Sequence, residues 1–174
     1  MKKFNFLRRK TFKEEIHRAG WNWVNACMVK HFHDDSADIL IDEFIERTFD
    51  WDYCFNNDKP QVLPHHKQDW IGFIHNPMII PKPFDIKQTP INMCARLPFV
   101  LAMRNCKGMF TLSDDLEEHV RYIFTQYGFD HVLVETLLHP TPLDVDKFNI
   151  NAFLNKPQVT CLGYWLRDFE KYWL

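Results

Sequence analysis

Apolar runs alternate with segments of helical spacing from residue 70 to the end of the chain. The runs are Trp70–Ile74, Gly108–Leu112, Val132–Leu138 and Val159–Leu162. Largely apolar runs of about four to eight residues are typical of strands buried on both faces. The order β-α-β-α-β-α-β-α predicts a parallel sheet covered by helices. We therefore expect an α/β fold with a Rossmann-like, doubly wound parallel sheet.

Helix boundaries between these runs are marked by capping residues and prolines. Ser113, followed by two aspartates, begins one helix, because its side chain can cap free N–H groups and the acids suit the positive end of the helix dipole. Gly128 closes that helix. Further helices are predicted over 91–103 with a bend at Pro98, near Phe148–Phe153, and over 165–173.

The N-terminal third has a weaker pattern, in which residues 3–7 predict a short strand. A helix follows, and it begins either near Thr11 or at Trp21. The two alternatives stay open because Gly20 would destabilise a helix interior by about 1 kcal/mol.

A second N-terminal helix is predicted after Asp35 or Ser36, either of which could cap it. Its buried stripe would consist of Leu40, Ile41, Phe44 and Ile45. Residues 49–69 are polar, contain two prolines and predict a loop.

Composition and length narrow the class of protein. The chain has 174 residues, is 46% hydrophobic and 16% aromatic, and can build one packed domain. The net charge of −2 argues against nucleic-acid binding, and no apolar stretch is long enough for a membrane span. Five scattered cysteines without a close pair favour free thiols in a reducing compartment. We expect a cytoplasmic protein.

Charge is distributed unevenly between two neighbouring segments. Residues 1–30 contain eight Lys or Arg and two acids, whereas residues 31–58 contain nine acids and one Arg. We interpret these segments as solvated basic and acidic faces, since exposed ion pairs contribute little. The alternatives are that the segments pack against each other or that they face a partner.

Polar residues follow three of the predicted strands: His75 and Asn76 after the first, Ser113 after the second and His139 after the third. In parallel sheets, ligands bind beyond the carboxyl ends of the strands, so we expect these residues to converge. His75 could act as a general base or bind a sugar hydroxyl, or it could simply close a loop by bonding backbone. The helix after Ser113 could present N–H groups to a phosphate.

Other catalytic signatures are weak or absent. His31, His33 and Asp34 could contribute to a metal site, but no second cluster with ligand spacing is near them, and we expect no metal. The chain has no GxGxxG, no P-loop and no GxSxG motif. We therefore expect no bound cofactor.

Five short strings together resemble a family of glycosyltransferase-like proteins of large DNA viruses, which have GT-B architecture. They are Arg18–Trp21, Trp70–Pro77, Cys106–Ser113, Leu138–Thr141 and Leu162–Arg167. The resemblance covers roughly residues 18–174. It implies that residues 1–157 form the Rossmann-like acceptor-side domain, the N-terminal half of a GT-B enzyme, and that residues 158–174 begin a second domain.

The resemblance also implies a function and a site. A GT-B protein of this kind would bind a nucleotide sugar or a glycan acceptor and transfer the sugar without a metal, in the host cytoplasm or the virion. The alternative is a non-catalytic scaffold derived from such a domain, which binds a protein partner or a second copy through residues 158–174. The implied residues are catalytic His75 and substrate-binding Gly20, Asn76, Ser113, His139 and Arg167.

Overall fold

A five-stranded parallel sheet organises the computed structural model of this chain, which describes residues 2–7, 21–51, 66–78, 80, 89–138 and 147–158. Its strands are β1 (Asn5–Phe6), β2 (Leu40–Asp42), β3 (Trp70–Phe73), β4 (Cys106–Thr111) and β5 (Leu133–Thr136). Neighbours in the sheet are neighbours in the sequence, and each pair is parallel. The predicted α/β fold with a parallel sheet is confirmed. The described strands do not show the reversal of order that marks a doubly wound sheet.

Five α-helices accompany the sheet in the described residues. They are α1 (Trp21–Phe32), α2 (Pro90–Cys94), α3 (Leu97–Met103), α4 (Asp114–Gln126) and α5 (Ile150–Asn155). The helix predicted over 91–103 is interrupted just before Pro98, because proline lacks an N–H group and disfavours a helical residue before it. The predicted strand over 159–162 and helix over 165–173 lie outside the described residues.

The N-terminal region confirms one prediction and corrects another. The strand within residues 3–7 is present as β1, and α1 begins at Trp21, one of the two expected starts. The predicted helix through Leu40 and Ile41 is wrong, because these residues form the buried strand β2. Its backbone is bonded on both sides: Leu7 N donates to Ile41 O, and Leu40 N donates to Asp69 O, each over 2.9 Å. Pairing with two neighbours overrides the helical spacing.

The segment that follows β2 is also more ordered than expected. Residues Arg47–Trp51 form a π-helical turn, where the sequence predicted a loop from residue 49. The acidic segment is not simply a solvated face, since four of its carboxylates are buried. These are Asp42, Glu43, Glu46 and Asp50. Arg96 forms an ion pair with Asp50, and His66 Nε2 lies 3.0 Å from Asp42 Oδ2.

Close packing on β3 explains why this segment lies where it does. Trp70 is fully buried, and its indole N–H donates to Ala102 O over 2.8 Å. Beside it, a Cβ on Gly72 would lie only 2.7 Å from the side chain of Ile45 and 2.8 Å from Met109 Sδ. Only glycine leaves room for Ile45 at this point. The contact brings the residues after β2 against the carboxyl end of β3.

The chain divides into two compact units, Met1–Pro140 and Thr141–Leu174. The first contains the sheet, and the second contains α5, which Asn149 caps by accepting from the N–H groups of Asn151 and Ala152. The domain boundary expected between residues 157 and 158 stays a prediction. Of the helices in the described ranges, none has the length and apolar character needed to cross a membrane.

Ser113 begins α4 as predicted, and Gly128 follows the helix with a φ of 72°. Ser113 Oγ accepts from Leu116 N over 3.2 Å. We expect Ser113→Ala to lower the free energy of unfolding by about 1 kcal/mol, because one N–H group of the first turn loses its partner. Urea denaturation followed by circular dichroism measures this loss. Ser113→Asp retains a capping oxygen and should stay within about 0.5 kcal/mol of the parent; equal losses in the two variants would contradict the capping role.

Candidate functional site

A cleft of about 320 Å³ lies at the carboxyl ends of β3 and β4. Its volume is at the lower end of the range for small-molecule sites, roughly 300–1,000 Å³. It is lined by His75, Pro77, Met78, Leu112, Ser113, Asp115, Leu116 and His119. Half of these residues are apolar, and the other half carry hydroxyl, imidazole or carboxylate groups. The position is the one at which parallel sheets bind ligands.

His75 forms part of the wall and is held from several directions. Its ring stacks on Phe44 with a centroid distance of 4.2 Å and meets Trp21 edge-on at 4.5 Å. The ring Nε2 lies 2.9 Å from Glu43 O. Since a carbonyl oxygen only accepts, Nε2 carries the proton and donates, and Nδ1 is the acceptor nitrogen of the neutral ring. The bond to backbone matches the structural alternative for His75, whereas its place in the wall matches the functional one.

The backbone of the same residues is anchored by a buried glutamate. Glu46 Oε1 accepts from His75 N and from Asn76 N, each over 2.7 Å. Burial raises the pKa of Glu46 to about 7, and the charge of Asp42 acts in the same direction, while the bonds from Asn76 and His75 oppose it. Asn76 is itself buried and is not among the lining residues. Glu46 therefore lies behind the wall and fixes it.

The opposite side of the cleft is formed by the start of α4. His119 Nδ1 donates to Asp115 O over 2.8 Å, so Nε2 is the acceptor nitrogen of its neutral ring. The Asp115 carboxylate lies 3.6 Å from the same Nδ1, and both side chains are exposed. Ser113 Oγ is already engaged as the helix cap. This side thus offers a carboxylate and an imidazole whose tautomer is set by a backbone bond.

These groups suit a ligand with hydroxyl groups better than one with phosphates. Carboxylates and neutral imidazole nitrogens accept hydrogen bonds from hydroxyls, and the apolar half can contact the carbon face of a sugar ring. Among the lining residues that the structure describes, none is Lys or Arg. Two aspartates in the first turn of α4, Asp114 and Asp115, would also repel a phosphate at the helix start.

The structure brings together two of the residues that the sequence proposed, His75 and Ser113, and it places Asn76 directly behind them. Gly20, His139 and Arg167 lie outside the described residues, so their parts in a site stay predictions. Asp115 and His119 were missed as site residues. Their signal was present in the spacing of i and i+4, which puts both on one face of a helix that starts at the carboxyl edge of β4.

The alternative of a metal site at His31, His33 and Asp34 gains no support. His33 Nδ1 accepts from Phe6 N over 3.3 Å, and Asp34 Oδ1 accepts from Ser36 N over 2.9 Å, so both are engaged in joining loops. No group of three or more His, Cys, Asp or Glu residues in the described ranges is close enough to hold a metal ion.

Fold and site together define an α/β protein with a parallel sheet and a small cleft at its carboxyl edge, in which no Lys or Arg occurs among the lining residues that the structure describes. Comparison with protein-family models, with curated proteins and with solved structures gave no match to this chain.

Proposed function

We propose that the chain is a glycosyltransferase-like protein of GT-B type whose cleft binds sugar hydroxyl groups. The observation that supports this most is the convergence of His75 with Asp115 and His119 in one cleft. Hydroxyl groups of a sugar would donate to the Asp115 carboxylate and to the acceptor nitrogen of His119. The sugar belongs to a glycan acceptor or to a nucleotide sugar, and the absence of a cation among the described lining residues favours the acceptor.

In a transfer reaction, this arrangement supplies a proton acceptor for the attacking hydroxyl. His119 has an acceptor nitrogen on an exposed ring, and its other nitrogen is held by backbone, which is the usual way an imidazole is oriented for such a role. His75 is packed between two aromatic rings and serves better as a fixed contact to the sugar. Release of the diphosphate would need basic groups from outside the described lining.

Ligand binding tests this proposal directly. The probes are methyl glycosides of glucose, galactose and mannose, together with UDP, GDP and their sugar conjugates, each with and without Mg²⁺. We expect at least one sugar-bearing probe to raise the melting temperature and to shift amide signals of the cleft. A ligand at 100 times its Kd stabilises a fold by about 2.7 kcal/mol. No shift with any sugar-bearing probe, or equal shifts with UDP and GDP alone, would overturn the proposal.

Substitutions at the cleft locate the binding. We expect Asp115→Asn to raise the Kd of the sugar probe by about tenfold or more, since a bond to a charged group contributes about 1.5–3 kcal/mol. His119→Ala should raise it by roughly two- to tenfold, since a bond to a neutral group contributes about 0.5–1.5 kcal/mol. His75→Ala should also weaken binding. Glu118→Gln is the matched control, because Glu118 is exposed on the same helix and does not line the cleft. A control loss as large as that of Asp115→Asn would place binding elsewhere.

One observation favours the second candidate, a non-catalytic interaction module. In the second unit, the described residues 147–158 expose large apolar side chains: Phe148 is 77% exposed and Leu154 is 67% exposed. Helix α5 has no buried residue. Exposed apolar groups at this density are typical of a surface that contacts a protein. Sedimentation velocity over a hundredfold concentration range tests this: we expect self-association that Leu154→Ser weakens, and a strictly monomeric profile would contradict it.

A further inference from the structure

Glu46 connects the acidic segment to the cleft. It follows β2 in the chain, and its side chain reaches the end of β3, where one oxygen accepts two consecutive backbone N–H groups. The side chain is fully buried, and the second oxygen has no hydrogen-bond partner among the described residues. Glu46 is thus a buried acid that is bonded to the backbone of His75, which lines the cleft, and of the next residue, Asn76.

Hydrogen bonds from side chains and backbone join these two short segments. Besides the two bonds to Glu46, the His75 ring donates to Glu43 O, and the same ring stacks on Phe44. We call the side of the cleft that His75 forms the His75 wall. Its position is therefore set by residues 43–46 and not by the sheet alone. A change in the strength of the Glu46 bonds is transmitted directly to the wall.

We propose that Glu46 is a positioning residue whose charge state sets how firmly the His75 wall of the cleft is held. When the carboxylate is ionised, both N–H groups make charge-assisted bonds, which are roughly twice as strong as neutral ones. When Glu46 is protonated, the bonds weaken and residues 75–76 are held less tightly. The consequence for sugar binding rests on the proposed function, whereas the hold on the wall does not.

The charge of Glu46 changes near neutral pH, so the strength of its two bonds depends on pH in this range. Burial raises its pKa to about 7. The charged and titratable groups of the same neighbourhood lie on the surrounding elements: Asp42 at the end of β2, Glu43 and Asp50 on the same segment, His66 before β3, His75 after it, and Arg96 before α3. His66 Nε2 lies 3.0 Å from Asp42 Oδ2, and the charge of Asp42 acts together with burial to raise the pKa of Glu46.

Nuclear magnetic resonance of the ligand-free chain between pH 5 and 9 tests the proposal. We expect the carboxyl carbon of Glu46 and the amide signals of His75 and Asn76 to titrate with one common midpoint near 7. Hydrogen-exchange protection of the two amides, corrected for the intrinsic pH dependence, should rise about fivefold above the midpoint. The amides of Met109 and Phe110 in β4 are internal controls, and their protection should not rise above this midpoint.

Two variants separate positioning from mere packing. Glu46→Gln keeps the shape and an acceptor oxygen but cannot ionise, so the amide midpoint and the change in protection should both vanish. Glu46→Asp is shorter by one methylene, and at least one of the two amides should lose protection at every pH. A Glu46 carboxyl carbon that titrates near the ordinary pKa of 4.5 would overturn the proposal. Amide signals of His75 and Asn76 that do not change at the Glu46 midpoint would overturn it as well. If a variant does not fold, the titration of the parent protein alone still tests the proposal.

A measurement of glycoside affinity against pH tests whether the charge of Glu46 affects sugar binding. Its outcome is independent of the titration in the ligand-free chain. With a methyl glycoside that binds, the Kd should rise by up to about fivefold as the pH falls from 8 to 6 in the parent, in line with the change in amide protection, and should rise less in Glu46→Gln. Common midpoints in the ligand-free chain without any glycoside binding would overturn the proposed function and leave the role of Glu46 intact. Binding that is equally pH-dependent in the parent and in Glu46→Gln would overturn the regulatory role.

Discussion

Replacing Trp70 by alanine is expected to lower the free energy of unfolding by about 3–5 kcal/mol. Trp70 is completely buried at the start of β3, packs against the rings of Phe49 and His66, and donates its indole N–H to Ala102 O. Truncation leaves a cavity between the sheet and α3 and removes the donor of a buried carbonyl. A domain has only about 5–15 kcal/mol of stability, so this loss would leave much of the chain unfolded at elevated temperature.

Urea denaturation followed by circular dichroism measures the loss of unfolding free energy. Two further variants distinguish its causes. Trp70→Phe keeps most of the volume and loses the hydrogen bond, so we expect a loss of about 1–3 kcal/mol. Trp23→Ala is the matched control: Trp23 is 66% exposed on α1, and its loss should stay within about 0.5 kcal/mol. A loss at Trp70→Ala no larger than the control would contradict the central place of Trp70 in the core.

The elements that the sequence predicted well are those whose signals are local. The run Trp70–Ile74 is apolar on both faces, and Pro77 follows shortly after it. Ser113 is followed by two aspartates, which suit the start of a helix. Such patterns depend on a few neighbouring residues, and the parallel order of strands follows from their alternation with helices. The convergence of His75 and Ser113 in one cleft could be predicted on the same basis, because carboxyl ends of adjacent parallel strands share one edge.

Strand β2 could not be predicted in this way, for a physical reason. It has three residues, Leu40–Asp42, and a run this short fits a helical stripe as well as a strand. What makes it a strand is pairing with β1 and β3, which are distant in sequence. Strand order is non-local in the same sense, so the alternation of strands and helices predicts a parallel sheet but does not determine the order of its strands.

Glu46 was invisible to sequence reasoning because a run of acids looks like a solvated face. Whether one acid is buried depends on close packing two elements away, here on the space that Gly72 leaves for Ile45. Asp115 illustrates the opposite error: its helix-dipole role was recognised, and its place beside His119 in the cleft was not. Both cases show that the chemistry of a charged residue is decided by what the fold places next to it.

The second large effect is a dependence of stability on pH that comes from Glu46. In the unfolded chain, the carboxyl group releases its proton near 4.5, whereas burial holds the pKa in the folded chain at about 7. Between these values the folded state binds more protons, so the free energy of unfolding falls as pH rises from about 4.5 to about 7 and then levels off. A difference of this size corresponds to about 3 kcal/mol of stability.

Denaturation curves of the parent and of Glu46→Gln between pH 5 and 8 isolate this contribution from the other titrating groups. Gln is neutral and of similar shape, so the stability difference between the two proteins should change by about 2.5 kcal/mol across that interval, with the variant favoured at high pH. Glu118→Gln, an exposed control, should follow the parent at every pH. Parallel curves for the parent and Glu46→Gln would show that Glu46 is ionised throughout. A divergence would mean that ionisation of Glu46 weakens the fold. Together with the proposed tightening of the His75 wall by the same ionisation, this would be the compromise expected where a buried charge serves a site.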